Sequence, residues 1–233
     1  MFKLPRISLL TASVVVIIGL LGMAPAHAVF IGNIQGGTDF PQGAISFADS
    51  VVSYSPNGPP SVPHQGAFNA VGVPDYVGVN SCPDQVNCSF VSLGGGGSIV
   101  LRFDDNKLTG SNSNALDLWI FEVGPNIEDT FVDISMDGLN WFGVGKVFGS
   151  TAGIDIDAFG FTSADLFGFV RLTDDILQGG SGAGGTVGAD IDAVGAISTV
   201  STPIPEPITS ALFAVGLLGA ARIRSRRIEN STA

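Results

Sequence analysis

Apolar positions follow three regimes along this chain. Long, predominantly apolar runs occupy residues 9–23 and 208–221, while everything between them carries only short Val-, Ile- and Phe-rich stretches separated by Gly, Pro, Asn and Asp. The short stretches do not repeat at helical spacing, and their β-branched and aromatic content predicts strands. Strands are expected at 98–103, 116–123, 130–136, 141–148, 167–173 and 191–199. Asp137-Gly138, between two of them, is a hairpin signal because both residues tolerate positive φ. With 32 Gly and 13 Pro punctuating the chain, the expected fold class is all-β, a sandwich or jelly roll. Strand order is not readable from the pattern. Proline-rich 55–63 reads as a long loop. The glycines at 94–97 read as a turn, since they lack the Lys-Ser/Thr ending of a phosphate-cradling loop. A second glycine cluster, 179–185, precedes an Asp-Ile-Asp strand, and no internal repeat is found.

The two long apolar runs are addresses. Lys3 and Arg6 precede the first, and Ala26-His27-Ala28 follows it with the small residues of a cleavage site, so 1–28 reads as a secretory signal peptide. The second run rises only about 21 Å as a helix, against about 30 Å of bilayer hydrocarbon, which makes it a marginal transmembrane anchor. Pro205, Glu206 and Pro207 stand before that run, and Arg222, Arg224, Arg226 and Arg227 after it would hold its far end in the cytoplasm. The domain plan is therefore a signal peptide at 1–28, one folded domain at 29–202, and a sorting and anchor segment at 203–233.

Separating the ends from the body sharpens the charge. Of ten Lys and Arg, only Arg102, Lys107, Lys146 and Arg171 lie in the body, whereas all 21 acids except Glu206 and Glu229 do. A body this acidic repels nucleic acid, whose phosphates need a basic surface. Its natural small partners are cations. Asp190 and Asp192, two apart in an expected strand, would share a face. With so few basic residues at hand, two readings of the pair stand side by side: a calcium ion neutralises them, helped by Asp75, Asp174 and carbonyls of the glycine loop, or they form a solvated acidic edge that discourages strand pairing. Asp155 and Asp157 repeat the spacing without such a loop and read as a solvated acidic edge.

Cys82 and Cys88, the only cysteines, are exported into an oxidising compartment and are expected to form a disulfide. A zinc site would have to rely on His64 alone for a further soft ligand. Tyr54 and Tyr76 are the candidate sugar-stacking residues, in expected loops, while Trp119 and Trp141 lie in or beside strands and read as core. No nucleophile–base arrangement is evident, His64 being an ordinary loop histidine in this reading, so the chain is not expected to be an enzyme. Glu122, in the apolar run 118–123 where burial would raise its pKa, is the best candidate acid for such chemistry, the more ordinary reading being a strand-end glutamate bonded to backbone or cation.

Motif, short span and basic end, in that order, closely resemble the PEP-CTERM sorting signal recognised by exosortases in exopolysaccharide-producing Gram-negative bacteria. Within the body, Phe47-Ala48-Asp49-Ser50-Val51-Val52, Val73-Pro74-Asp75, the glycine turn into Ser98, Phe121-Glu122-Val123-Gly124, Ser135-Met136-Asp137-Gly138 with Trp141, Val170-Arg171-Leu172-Thr173-Asp174 and residues 188–196 together resemble exported bacterial cell-surface domains similar to galactose-binding-like jelly rolls. The resemblance implies passage through the Sec translocon and processing by an exosortase, with transient anchoring in the inner membrane. It also implies a mature form at the cell surface or in the biofilm matrix, and a structural calcium near the domain's ends. The expected function is a surface or matrix module that associates with exopolysaccharide. The alternatives are a purely structural matrix protein and, in a different class, a secreted glycoside hydrolase working with two carboxylates.

Overall fold

The computed structural model describes residues 28–58, 60–78, 82–123, 128–148, 151–178 and 185–202. The expected signal peptide and the sorting segment, with Pro205, Glu206, Pro207 and the four arginines, lie outside the described residues. Among the described residues there is no α-helix, only short 3-10 turns between strands, and no helix long and apolar enough to cross a membrane.

Thirteen strands form in chain order: β1 (Val29–Asn33), β2 (Gly36–Phe40), β3 (Ser50–Ser55), β4 (Val91–Ser92), β5 (Ser98–Arg102), β6 (Asn106–Leu108), β7 (Leu118–Glu122), β8 (Thr130–Ser135), β9 (Phe142–Val147), β10 (Thr151–Ile154), β11 (Phe169–Asp174), β12 (Asp190–Ala196) and β13 (Thr199–Ser201). The six expected strands are all present within a residue or two, except that the last is split, β12 ending at Ala196 and β13 resuming at Thr199. Five antiparallel strands form one sheet in the order β3-β5-β11-β8-β9, and four form a second in the order β10-β7-β12-β4. The chain changes sheet at each step along the sandwich from β3 to β12, apart from the β8–β9 pair that stays within one sheet. Two short pairs, β1-β2 and β13-β6, complete the fold.

Alternation along the strands explains the layering. Ile99 and Leu101, Val132 and Ile134, and Val170 and Leu172 point inward from the five-stranded sheet. They meet Leu118, Ile120, Ile191 and Val194 of the other sheet in one buried cluster. Alternation also points Trp119 and Phe121 out of the back of the four-stranded sheet, where the β1-β2 hairpin and the turn after it cover them with Phe40 and Phe47. Gly195 permits that cover: a Cβ there would stand 2.7 Å from the Phe40 ring. A third cluster of Tyr76, Cys88, Phe90 and Val123 closes one end of the sandwich, pinned by the Cys82–Cys88 disulfide.

Candidate functional site

The acids expected to gather at β12 are drawn apart by a β-bulge. In the pairing of β12 with β7, Ile191 stands opposite Glu122 and Ala193 opposite Phe121, so Asp192 is the extra residue. A bulge re-aims the side chain it carries. The simple alternation that would set Asp190 and Asp192 side by side therefore fails, and each has its own partners. Asp192 is buried, and its oxygens accept from Asn33 Nδ2 at 2.8 Å, Asp75 N at 3.0 Å and Tyr76 N at 3.3 Å. Asp174 accepts from Gly96 N and Ala189 N, both at 2.8 Å, so it ties the glycine turn to the start of β12. Asp75 itself is exposed. No three carboxyl oxygens from Asp75, Asp174, Asp190 and Asp192 lie within 4.8 Å of one another.

Asp190 instead joins a different set. It is buried, its Oδ1 accepts from the Ser92 hydroxyl, and the nearby charges that act on it are those of Glu128 and Asp174. Glu122, in inward parity at the end of β7, is 1% exposed, with the Asp190 backbone and the Glu128 side chain beside its carboxyl. Burial, then the charges of Glu128 and Asp190, push its pKa up to about 10. Burial likewise drives Asp190 up to about 8 and Asp192 up to about 6. The expectation that burial would raise Glu122 holds. The consequence is a neutral carboxyl at physiological pH, held in a closed interior. Lys146 takes the adjacent acids, pairing with Asp129 at 2.8 Å and Asp175 at 2.9 Å.

The aromatic candidates exchange roles. Tyr54 is not in a loop: it lies in β3, faces the core, and its hydroxyl donates to Ser92 O at 2.6 Å. Burial and then the Asp190 charge push its phenol up to about 12. Tyr76 does lie outside the strands, yet it is buried, with its ring edge-on to Phe90. His64 is buried too, stacked on Phe90 and hydrogen-bonded through Nδ1 to Ser61 Oγ at 2.8 Å, and burial lowers its pKa. None of the three offers a free face. Trp119 is covered, as expected of a core residue. Trp141 is not core.

Trp141 lies instead over the outer face of the five-stranded sheet, the surface that alternation makes from the positions between the buried ones. Its ring carries the Arg171 guanidinium 4.6 Å from its centroid, while Arg171 Nε and Nη2 both reach Asp133 Oδ2 at 3.0 Å. Arg171 can bridge the two because Asp133 is its direct neighbour across the β11-β8 pair. The neighbouring positions continue the pattern: Phe169 has Arg102 over its ring at 5.8 Å, and Phe131, 44% exposed, has Lys146 over its ring at 5.2 Å. Ser53 and Ser55 extend the face along β3, opposite Val100 and Ser98. Three of the body's four basic residues thus sit on aromatic rings of one sheet face, each also paired with an acid. Such a face offers stacking surface, planar donors and hydroxyls together. The alternation of Phe131 and Asp133 within β8 was the sequence signal for it.

No protein-family model and no curated protein matches this chain. Among solved structures, it is similar to CpGH89CBM32-6 produced by Clostridium perfringens, at 12% identity and a TM-score of 0.31 over 46% of this chain and 72% of that one. It is also similar to the C-terminal domain of a chitobiase from Bacteroides fragilis, at 14% identity and a TM-score of 0.28 over 46% of this chain and 64% of that one. At such scores neither likeness bears on the site.

Proposed function

We propose that this chain is an exported surface or matrix protein, sorted through its C-terminal signal, whose jelly-roll module associates with polysaccharide through the outer face of its five-stranded sheet. The supporting observation is the Trp141–Arg171–Asp133 arrangement, flanked by Phe131 and Phe169. A sugar ring binds by laying its apolar C–H face on an aromatic ring while its hydroxyls bond to planar polar groups at the edge. Trp141 supplies the ring, and Arg171 and Asp133 supply a donor and an acceptor held rigid by each other. Consecutive rings along the face suit a chain of sugars rather than a single residue. The chain acts without catalysis in this reading. Glu122, the acid with the most displaced pKa, is enclosed inside the sandwich where no polysaccharide reaches it.

The test is affinity electrophoresis of the full chain through gels containing exopolysaccharide from a PEP-CTERM-bearing bacterium. Retardation that Trp141→Ala and Arg171→Ala each reduce, while Phe68→Ala, an exposed aromatic in the 3-10 turn Ala67–Ala70 and not on a strand, leaves it intact, supports the reading. Equal mobility with and without polysaccharide sinks it and leaves the displayed, ligand-free structural protein.

A further inference from the structure

Away from that face, three carboxylates meet at the edge of the four-stranded sheet. One oxygen from each of Asp117, Asp155 and Asp157 lies within 4.8 Å of the other two. Asp155 and Asp157 are not on an open strand edge, as their spacing implied, because β10 stops at Ile154 and Asp157 opens a 3-10 turn. Two connections hold the group in place. Asp117 N donates to Ile154 O at 2.8 Å and its Oδ2 accepts from Ile156 N at 3.0 Å. Asp157 accepts from Ser111 N at 2.8 Å, Ser111 Oγ at 3.0 Å and Asn112 N at 3.1 Å, and Asp155 Oδ1 accepts from Asp157 N at 2.9 Å.

Like charges at this spacing repel unless something neutralises them. No basic side chain among the described residues does so. Arg102 is paired with Asp104, Arg171 with Asp133 and Lys146 with Asp129 and Asp175, while Lys107 caps the Phe103 carbonyl. A second observation is independent of the clustering. Asp117 is wholly buried, and its Oδ1 takes no well-formed hydrogen bond, the Ser198 and Ser111 hydroxyls being the groups that approach the carboxyl. A buried carboxylate oxygen without a partner is costly to keep. Burial raises the pKa of Asp117, and the Ser198 and Ser111 hydroxyls near its carboxyl temper the rise. Both hydroxyls are further neutral oxygens for a ligand sphere.

We propose that Asp117, Asp155 and Asp157 hold one divalent cation of the calcium type, clamping the 111–113 and 155–157 segments to the start of β7. Oxygens on opposite sides of a calcium ion stand about 4.6–5.2 Å apart, so a single ion spans this group. The donors are all oxygen, with no imidazole or thiolate among them, which favours calcium over zinc or copper.

The experiment titrates the full chain, stripped with chelator, with terbium while exciting tryptophan, and then displaces terbium with calcium; thermal melts with calcium and with chelator run alongside. Trp119, two residues from Asp117, is the expected sensitiser. Sensitised emission that calcium reverses, a melting temperature raised by calcium, and loss of both in Asp155→Asn and Asp157→Asn are expected. Asp155→Asn keeps the one acceptor that the Asp157 amide uses, whereas Asp157 accepts through both oxygens, so Asp157→Asn keeps only one side of its contacts and Asp155→Asn is the cleaner variant. Absence of both responses in the unaltered chain overturns the proposal. So does a response that survives both substitutions and disappears in Asp190→Asn, which would move the ion to the β12 acids.

Discussion

Asp192 accepts a hydrogen bond from Asn33 Nδ2 at 2.8 Å, joining the bulge of β12 to the first hairpin across 159 positions of sequence. The bulge frees Asp192 from the β7 ladder, and Asn33, with the amides of Asp75 and Tyr76, gives the carboxylate its donors. One buried acid thereby anchors the hairpin over the back of the sheet and the loop that leads into the Tyr76 cluster.

Asn33→Ala should therefore destabilise the fold by about 1.5–3 kcal/mol, the range for a hydrogen bond to a charged group whose partner stays buried. Urea denaturation of the full chain reads this as a lower midpoint. A midpoint unchanged within error would mean that the hairpin is not held by Asp192.

Glu122, Asp190 and Asp192 set the pH dependence. Their folded pKa values, about 10, about 8 and about 6, all lie above the unfolded carboxylate range near 4. The native state thus keeps protons that the unfolded chain releases, and the stability these groups contribute is complete below about pH 4 and is lost as pH rises through each folded value. His64, whose pKa is lowered by burial, works the other way around its ordinary value of about 6.5, so the fall is read at pH 7–10, with Lys107, also lowered by burial, opposing it toward the upper end. Stability should fall across that window, and between pH 8 and 10 the fall should belong to Glu122. Glu122→Gln should flatten this last part of the curve in denaturation midpoints measured against pH. A slope that persists in the variant would assign it to another group.

How much of this was legible follows from where each signal resides. β5, β7, β8, β9, β11 and β12 announce themselves because each carries several Val, Ile, Leu or Phe residues between turn formers. β6 (Asn-Lys-Leu) and β10 (Thr-Ala-Gly-Ile) do not, because a neighbouring strand, not their own composition, makes them extended. The bulge at Asp192 is equally invisible, since it is defined by the register against β7. Trp141 reads as core because it lies beside a strand; its place outside, under Arg171 of β11, follows from the sheet pairing and not from any local pattern. Asp117 lies in an expected strand, and its meeting with Asp155 and Asp157 depends on the β10-β7 pairing, which no local pattern encodes.

The Cys82–Cys88 bond should act locally. It closes a short loop, so in the chain-entropy picture its reduction costs about 2 kcal/mol. The disulfide backs the cluster of Tyr76, Phe90 and Val123, which lies away from the outer sheet face. Cys82→Ala with Cys88→Ala should lower the melting temperature and loosen Tyr76, seen as faster hydrogen exchange around it, while polysaccharide retardation is unchanged. Loss of retardation in that variant would place the ligand at the disulfide end of the sandwich instead of on the sheet.

Sorting makes its own prediction, independent of any ligand. The tail combines a Pro-Glu-Pro motif, an apolar run too short to be a comfortable span, and four arginines that resist translocation. If the motif directs processing, Pro205→Ala, Glu206→Ala and Pro207→Ala together should leave a full-length form in the membrane fraction of a host carrying the sorting enzyme, while the unaltered chain is cut and leaves that fraction. The run and arginines are unchanged in the variant, so membrane retention without cutting is the specific signature of a lost recognition motif. Identical processing of the two chains would show that the run and arginines act only as an anchor.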